Sequence, residues 1–331
     1  MPSWLRRLGR SGWLVTGVVV GAAALIVGVG VVLAVLAPVL VAVTVAAALQ
    51  PVVAALRRHG VPAALAALAG ALLVPVLLIV LGVLVWHTVA GAGETWSSVA
   101  DEAAKHLRSA LGADPLDTLL RSPRWRDALL GAGSALLSTA ALVAQAAFGV
   151  LLGAFLLFYL FKDGPAFVDH LDRRLPLRPG LARRMLDSAA VRLRQYVLGT
   201  TVVAAMDAVV ITLGAVVLRL PLIGMIALIT FVAAYVPYLG AWVSAVFALV
   251  VALGAGGPVA AAWMLAIVLV TQNVLEGVLR PYIFGRALDL HPVAILLATL
   301  VGGALAGLVG VLLAPPIAAI AVSWRAMLRE P

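Results

Sequence analysis

The sequence predicts an all-α, polytopic integral membrane protein with about eight transmembrane helices and with broken or re-entrant segments in its C-terminal third. Of the 331 residues, 64% are hydrophobic and only 11% are charged, whereas soluble domains carry about 25% charged residues. Charges are also absent from five stretches, each longer than the roughly 20 residues that cross a bilayer; these are residues 11–56, 59–93, 128–161, 220–275 and 290–324. A surface with so few charges cannot face water, so the lipid bilayer is the expected partner.

Residues 1–93 are predicted to form the first three membrane spans. The charge-free run that begins at Ser11 is 46 residues long, which is enough for two spans. Pro38 is the natural hinge between them, because proline interrupts helical hydrogen bonding. Pro62 is suited to the first turn of the next helix, where its missing N–H costs nothing. We therefore expect the third span to run from about Pro62 to Ala90.

Residues 94–133 are predicted to be an extramembrane helical segment. Charges of both signs return here, and apolar residues recur at helical spacing, which indicates an amphipathic helix; they are Trp96, Val99, Ala103, Leu107 and Leu111. Residues 134–162 then form the fourth predicted span. Two apolar stripes with arginines opposite follow in residues 163–195. They indicate amphipathic helices that either lie in the cytoplasmic interface or pack on the protein's own cytoplasmic face.

Residues 196–331 are predicted to form the C-terminal membrane core. Its first helix, the fifth span, covers residues 196–218. The 56-residue charge-free run that follows has room for a span after Pro221, further apolar chain after a break at Pro237, and another span from about Pro258. The last charge-free run has 35 residues, which is too long for one simple crossing, so we expect this segment to bend.

Basic residues set the predicted orientation, because loops rich in Arg and Lys tend to remain in the cytoplasm. Such clusters precede the first span, follow the second, fill residues 162–194 and end the chain. We therefore expect a multi-pass protein of a bacterial plasma membrane, with both termini cytoplasmic and residues 94–133 external. Arg280 and Arg286 fit this topology only if they are buried in protein or if the last third contains re-entrant segments.

The sequence offers few of the residues that enzymes and cofactor sites use. It contains no cysteine, which excludes disulfides and thiolate chemistry. It also contains no Gly-Lys-Ser/Thr phosphate loop and no His-Glu-x-x-His metal motif. The net charge of +9 is expected to report loops that face anionic lipid. We therefore predict that the protein is not an enzyme and has no catalytic residues, cofactor, metal or nucleic-acid partner.

Two sets of polar residues interrupt the apolar runs. Asp207 lies near the centre of the fifth span, where a charge costs at least about 2.5–3.5 kcal/mol. It is interpreted as a proton or cation site, as a substrate-facing group, or as a protonated or paired residue that locks helices together. Gln272, Glu276 and Arg280 share one helical face at i, i+4 and i+8, with Asn273 beside them. That face either lines a substrate or ion pathway or carries a structural Glu–Arg pair.

Two similar helix breaks are predicted within the apolar chain. The first contains Pro237, Tyr238 and Gly240, and the second contains Pro281 and Gly285. Proline frees a backbone carbonyl and glycine lets the chain turn. Unpaired backbone at membrane depth is tolerated only inside protein or beside water, and broken helices of this kind mark binding sites in transporters. The breaks are therefore interpreted as gating elements, with two ordinary interfacial turns as the alternative.

Several short segments carry a resemblance through their order along the chain. They are Ala48-Leu-Gln-Pro51 with Leu56-Arg-Arg-His-Gly60-Val-Pro62, Phe158-Tyr-Leu-Phe-Lys162-Asp163-Gly164, Tyr196-Val-Leu-Gly199, Val236-Pro237-Tyr238-Leu-Gly240, and Gln272-Asn-Val-Leu-Glu276 with Pro281, Gly285 and Leu290-His291-Pro292. Together they resemble the autoinducer-2 exporter (AI-2E) family of permeases. The likeness covers most of the chain and is weakest in residues 94–133. Through its place in the last segment, His291 joins the residues assigned to helix breaks and gating.

The resemblance implies about eight spans, an oligomeric assembly and, for some members, export of a small polar signalling molecule. Other members are associated with cation/proton exchange, and Asp207 matches no element of the family. We therefore predict a homo-oligomeric secondary transporter that exports a small polar metabolite such as autoinducer-2, with protons or sodium as a coupling ion. A monovalent cation/proton antiporter and a non-transporting membrane scaffold are the alternatives.

Overall fold

A computed structural model describes residues 36–90, 92–111, 140–237, 239–275, 277 and 290–329. All regular secondary structure in these residues is helical. The helices are α1 (Leu36–Arg58), α2 (Ala63–Ala90), α3 (Gly93–Leu111), α4 (Ala140–Arg174), α5 (Leu181–Val217), α6 (Ile223–Ala233), α7 (Leu239–Val270), which continues into a π-helical turn (Thr271–Leu275), and α8 (Pro292–Arg329). Six of them are long and apolar enough to cross a membrane. The all-helical membrane class is therefore confirmed, whereas the count of about eight spans is not established.

The boundary between α1 and α2 is fixed by a glycine and a proline. Gly60 adopts a left-handed conformation with φ of 84°, and Val61 and Gly60 donate their N–H groups to the carbonyls of Leu56 and Arg57. This pair of bonds is a Schellman motif, which satisfies carbonyls that the helix end leaves open. Helix α2 then begins directly after Pro62 and ends at Ala90, which matches the range predicted for the third span. Pro38 lies in the first turn of the described part of α1.

Helices α1, α2 and α4 pack through small residues. Ala66 and Ala67 are fully buried between the three helices, together with Val53 and Phe161. A Cβ added at Gly70 would lie 2.5 Å from Val53 Cγ2, which is closer than side chains tolerate. Apolar burial gains little inside lipid, so close contact through small residues is what holds such helices together.

Arg57 compensates for a proline inside α4. Pro165 lies within this helix, and it cannot donate to the carbonyl four residues earlier, that of Phe161. Arg57 Nη2 donates to that same carbonyl oxygen at 2.7 Å. The C-terminal turn of α1 is therefore bonded to the point at which α4 loses its own hydrogen bond.

We expect Arg57→Met to destabilise the protein by about 1–3 kcal/mol, because it leaves a carbonyl without a donor while keeping an apolar stem. Pro165→Ala restores an N–H four residues after Phe161, so it should remove most of that cost. A double-mutant cycle of unfolding free energies in detergent measures the coupling. Equal effects of Arg57→Met with proline and with alanine at residue 165 would contradict this pairing.

The helices predicted in residues 163–195 are not separate elements. Helix α4 continues through the predicted exit at Lys162 to Arg174, and α5 begins at Leu181, well before the apolar part of the fifth span. These segments prolong the spans beyond the charge-free runs by about 20 Å. The apolar stripe of α5 instead packs on α8, where Leu193 and Ile320 share a buried cluster with Ala47 of α1.

Two aspartates of α4 stabilise the connection between α4 and α5. Asp172 accepts hydrogen bonds from the N–H groups of Gly180 at 3.0 Å and Arg183 at 3.2 Å. It therefore caps α5 from outside that helix, which suits Gly180 because this N-cap residue has no side chain of its own. Asp169 also forms an ion pair of 2.8 Å with Arg183.

The chain after α5 does not form the predicted sixth span. Helix α6 has only 11 residues and is therefore about 16 Å long, roughly half of the bilayer core. The prediction of a span after Pro221 is wrong because the break at Pro237 arrives too soon. A second Schellman motif ends α5, with Arg219 in the left-handed position normally held by glycine (φ of 54°).

Helices α7 and α8 are both bent into hairpins. In α7 the bend is Gly257, with φ of 70° and ψ of −170°, directly before Pro258, the residue at which the sequence predicts another span to begin. In α8 the bend is at Ala306 and Gly307. The backbones of Gly302 and Gly310 then lie in direct contact, whereas eight residues of straight helix would separate them by about 12 Å.

Helix α3, in the segment predicted to be extramembrane, packs against α7. Trp96 stacks on Phe247 with ring centroids 5.1 Å apart, and Val99 joins the buried core of α5, α6 and α7. A Cβ added at Gly254 would overlap the carbonyl of Val99. The predicted amphipathic helix is thus observed, and its apolar face contacts the membrane core through a glycine.

Candidate functional site

A small cavity lies where α5, the end of α6, the start of α7 and the π-helical turn meet. Its volume is about 40 Å³. Its lining combines apolar side chains with four polar ones, and it comprises Val203, Asp207, Ile211, Thr230, Ala234, Val236, Pro237, Ala241, Ser244 and Gln272. Three residues that the sequence singled out in separate segments, Asp207, Pro237 and Gln272, therefore meet at one site.

Asp207 is buried on the cavity side of α5. Its exposed fraction is 7%, although it belongs to a helix whose lipid-facing residues are apolar and exposed. None of the ten lining residues is basic. A carboxylate that is withdrawn from water must be compensated by a cation, a proton or hydrogen bonds, so Asp207 is an electrostatically costly group in the wall of this cavity.

The wall opposite Asp207 is a broken helix. The chain leaves α6 at Ala233, turns through Pro237, and re-enters helix at Leu239. Gly240 donates its N–H to the carbonyl of Val236 at 2.9 Å. A Cβ added at Gly240 would overlap the carbonyl oxygen of Ala233. Glycine at this position thus allows the two helix ends to touch, and the predicted break at Pro237 and Gly240 is observed.

The carbonyl of Ala241 joins the two arms of the α7 hairpin. Gln272 Nε2 donates to it at 3.2 Å, and Ser244 Oγ donates to it at 3.1 Å. Gln272 belongs to the π-helical turn, a rare geometry that frequently occurs at functional sites. The bend at Gly257 is what brings residues 31 positions apart into contact.

Thr230 differs from five other threonines of the helices. Thr44, Thr88, Thr201, Thr271 and Thr299 each donate the hydroxyl proton to the carbonyl four residues earlier, at 2.7–2.8 Å. Thr230 Oγ1 makes no hydrogen bond within the described part of the chain, although the residue is only 2% exposed. A buried hydroxyl without a partner costs free energy, so this group at the cavity is available to a ligand.

A further hydrogen bond fixes the break on its other side. The hydroxyls of Tyr235 and Thr201 are 2.8 Å apart, and Thr201 also donates to the carbonyl of Val197 at 2.7 Å. Because a hydroxyl carries one proton, Tyr235 is the donor in this pair. The break therefore meets α5 at two places: Tyr235 is hydrogen-bonded to Thr201, and Pro237 lines the same cavity as Asp207.

Of the remaining predicted residues, the structure describes Asn273 and His291 and does not describe the other five. Asn273 is exposed and donates to the carbonyl of Leu269 in its own helix at 2.9 Å, so it is not part of the cavity. His291 accepts the N–H of Val293 on Nδ1 at 3.3 Å and caps α8, so it has a structural role there. The others lie outside the described residues; they are Tyr238, Glu276, Arg280, Pro281 and Gly285.

The predicted polar face of the seventh span must be corrected in its geometry. The spacing of i, i+4 and i+8 places residues on one face only in an α-helix. Residues 271–275 form a π-helical turn, in which each turn contains more residues. The alignment of Gln272 with residues four and eight positions later therefore does not follow from the spacing.

Sequence reasoning missed Thr230, Ser244 and the carbonyl of Ala241. Hydroxyl residues in membrane helices usually bond their own backbone, so neither side chain stood out. Their positions within ten residues of the Pro237 break were the available signal.

Bent helices and a polar cavity at a helix break are features found in membrane transporters. The model of the AI-2E family transporters matches residues 15–330, so the chain belongs to the AI-2E family. The predicted resemblance is thereby confirmed.

Curated relatives are transport proteins by name. The chain is 33% identical over 217 residues to "Putative transport protein MT0215" of Mycobacterium tuberculosis, an alignment that covers 65% of this chain and 58% of the relative. It is 34% identical over 172 residues to "Putative transport protein YrrI" of Bacillus subtilis, covering 50% of this chain and 47% of the relative. The aligned part therefore spans about half the length of these relatives.

Proposed function

We propose that this protein is a secondary transporter that exports a small polar solute, such as autoinducer-2, across a bacterial plasma membrane, with both termini in the cytoplasm. The observation that carries the proposal is the polar cavity between Asp207 and the helix break at Pro237. The break interrupts a charge-free run of the chain, so it lies where irregular backbone is tolerated only beside protein or water.

The volume of the cavity indicates how transport would proceed. A space of about 40 Å³ holds about three water molecules, which is too little for a furanose-sized solute. Passage of such a solute therefore requires the broken helix to move away from α5, and the structure corresponds to a closed state. The hydrogen bond between Tyr235 and Thr201 holds that state.

Exchange of a monovalent cation for protons is a second candidate function. It is favoured by the same volume, which accommodates a small ion without any opening, and by the buried carboxylate of Asp207. Liposomes with an imposed pH gradient separate the two candidates, because an exchanger dissipates the gradient when only sodium or potassium is added. An exporter does so only with its solute present.

We expect Gln272→Leu to reduce solute flux about tenfold, because it removes the amide that joins the Ala241 carbonyl to the cavity. Asn273→Leu is the matched control: it deletes an amide from the adjacent residue, which lies outside the cavity, and flux should change less than twofold. The measurement is efflux of autoinducer-2 and other small polar solutes from liposomes that contain purified protein, against empty liposomes. Equal flux in both variants would contradict a pathway through this cavity.

A further inference from the structure

We propose that one face of α4 is a binding site for an anionic phospholipid, whose phosphate is held by Lys162 and Arg58. The proposal goes beyond the proposed function, because it names a lipid partner and does not depend on which solute crosses the membrane. It is carried by an exposed apolar stripe on α4, by the position of the Lys162 ammonium group, and by the contact between the ends of α1 and the α4 span.

The apolar stripe lies on the side of α4 that is turned away from its buried contact with α1 and α2. Leu157 and Phe161 make that buried contact. The members of the α4 stripe recur every three or four residues, so they share the other side of the helix, and each is at least 44% exposed; they are Phe148, Leu151, Leu152, Phe155 and Tyr159. The stripe is about 16 Å long, which is close to half of the roughly 30 Å bilayer core. It therefore matches the depth that the acyl chains of one leaflet occupy.

Lys162 continues the α4 stripe at the end of the charge-free run. Its Nζ lies 5.8 Å from the ring centroid of Phe158 and 5.9 Å from that of Tyr159. Both rings precede Lys162 in the helix, so the ammonium group is folded back towards the apolar stripe, whereas lysines at the ends of membrane helices usually extend towards water. A cation at this depth attracts a phosphate more strongly than a cation in open water, because the dielectric constant is lower.

The contact between α1 and α4 supplies a second cation. Arg57 Nη2 donates to the carbonyl of Phe161 at 2.7 Å, so the charge-free runs of the two helices end at the same level. Arg58 and Lys162 are the next residues of the two helices, and both are exposed. Arg57 is therefore a positioning residue that holds the two exposed cations at adjoining helix ends.

The charges at this corner complement a lipid headgroup. Three basic residues, Arg57, Arg58 and Lys162, stand against one acidic neighbour, Asp163, and neither Arg58 nor Lys162 forms an ion pair with another described residue. Basic pockets between membrane helices are known to bind anionic headgroups. A second copy of the chain docked face to face would bring Lys162 against Lys162, so charge favours a lipid as the occupant of this face.

The test is native mass spectrometry of the purified full chain in detergent, with phosphatidylglycerol and phosphatidylcholine of the same acyl chains. The two lipids share the phosphate and differ in net charge. We expect phosphatidylglycerol to bind the native protein about tenfold more tightly. Lys162→Gln and Arg58→Gln should each weaken its binding about fivefold, which is the contribution of one basic residue near a membrane surface. Lys162→Arg keeps the charge and should stay within twofold of the native affinity.

Lys105→Gln is the matched control, because Lys105 is the other lysine of the sequence. It lies on α3, away from the α4 stripe, and forms an exposed ion pair of 2.7 Å with Glu102. The same change there should leave the affinity for phosphatidylglycerol within twofold of the native value. Equal losses in Lys105→Gln and Lys162→Gln would show a general effect of net charge and would overturn the site.

Two further measurements separate the lipid from other occupants. Glycerol phosphate, which has the charge without the acyl chains, should not displace phosphatidylglycerol at about 100-fold excess; displacement would contradict the role of the α4 stripe. Single-cysteine Phe155→Cys should form no disulfide between copies, and efficient cross-linking without lipid preference would assign this face to a second copy instead.

Stability provides an independent measurement for correctly assembled protein. Phosphatidylglycerol should raise the melting temperature of the native protein relative to phosphatidylcholine, because a ligand stabilises the state that binds it. The double variant Arg58→Gln/Lys162→Gln should show no such difference. Absence of any preference for phosphatidylglycerol in the native protein would overturn the lipid site and would leave the proposed function standing.

Discussion

Gly240→Ala is expected to assemble normally and to lose at least nine-tenths of its solute flux. The added methyl group would overlap the carbonyl oxygen of Ala233, which is backbone and cannot rotate away. The break must therefore widen, and the Pro237 wall of the cavity moves with it. Misplacement of a binding group by about 1 Å can cost about 100-fold in rate, so a tenfold loss is a modest expectation.

Gly82→Ala is the matched control, because it makes the same glycine-to-alanine substitution at a position away from the break. Gly82 lies in α2 with open space where the Cβ would be placed, and alanine favours a helix by about 1 kcal/mol. Its flux should stay within twofold of the native protein. Tyr235→Phe provides a smaller change at the break, because it removes the bond to Thr201 without adding volume, and it should release the closed state and alter flux. Native flux in both Gly240→Ala and Tyr235→Phe would show that the break is not a moving part.

Gly254→Val is expected to detach α3 from the membrane core. The glycine faces the carbonyl of Val99 so closely that any side chain overlaps backbone. Helix α3 must then move outwards and give up the Trp96–Phe247 stack. Overpacking typically costs about 1–3 kcal/mol, and loss of the stacked pair adds about 0.5–1.5 kcal/mol, so we expect a large fall in melting temperature.

The absence of cysteine from the sequence makes this movement measurable. Ala103 of α3 is 5% exposed, so a single cysteine placed there should react slowly with a thiol reagent in the native background and at least tenfold faster with Gly254→Val. Gly93→Val is the control, because Gly93 begins α3 with open space around it. Slow labelling in the Gly254→Val background would contradict the close packing of α3 on α7.

Part of the candidate site could be predicted from the sequence. A charge in an apolar span and a proline-glycine break in an apolar run are costly features, so Asp207, Pro237 and Gly240 were identified without coordinates. Gln272 was found as the start of a polar face. Its companions on that face were assigned by α-helical spacing, and a π-helical turn invalidates that assumption.

Thr230 and Ser244 could not have been predicted as site residues. Most threonines of these helices bond the backbone four residues earlier, and sequence does not show which ones, such as Thr212 and Thr230, fail to do so. Asn273 was predicted with the polar face, and the structure instead shows its amide donating to the carbonyl of Leu269 in its own helix, outside the cavity. His291 was predicted as a gating residue, and in the structure its Nδ1 accepts the N–H of Val293 at the start of α8.

The sequence by itself determined the membrane class, the family and the helix break at Pro237, because composition, prolines and glycines act locally on the chain. Only the tertiary structure decided that α6 is too short to span, that α7 and α8 reverse direction, and that Asp207, Thr230 and Gln272 share one cavity. The physical reason is that lipid tails solvate every apolar helix face equally well, so hydrophobicity does not select which faces pack together. Which faces meet therefore depends on close contacts and hydrogen bonds between distant residues, such as that from Gln272 to Ala241, and no local pattern records them.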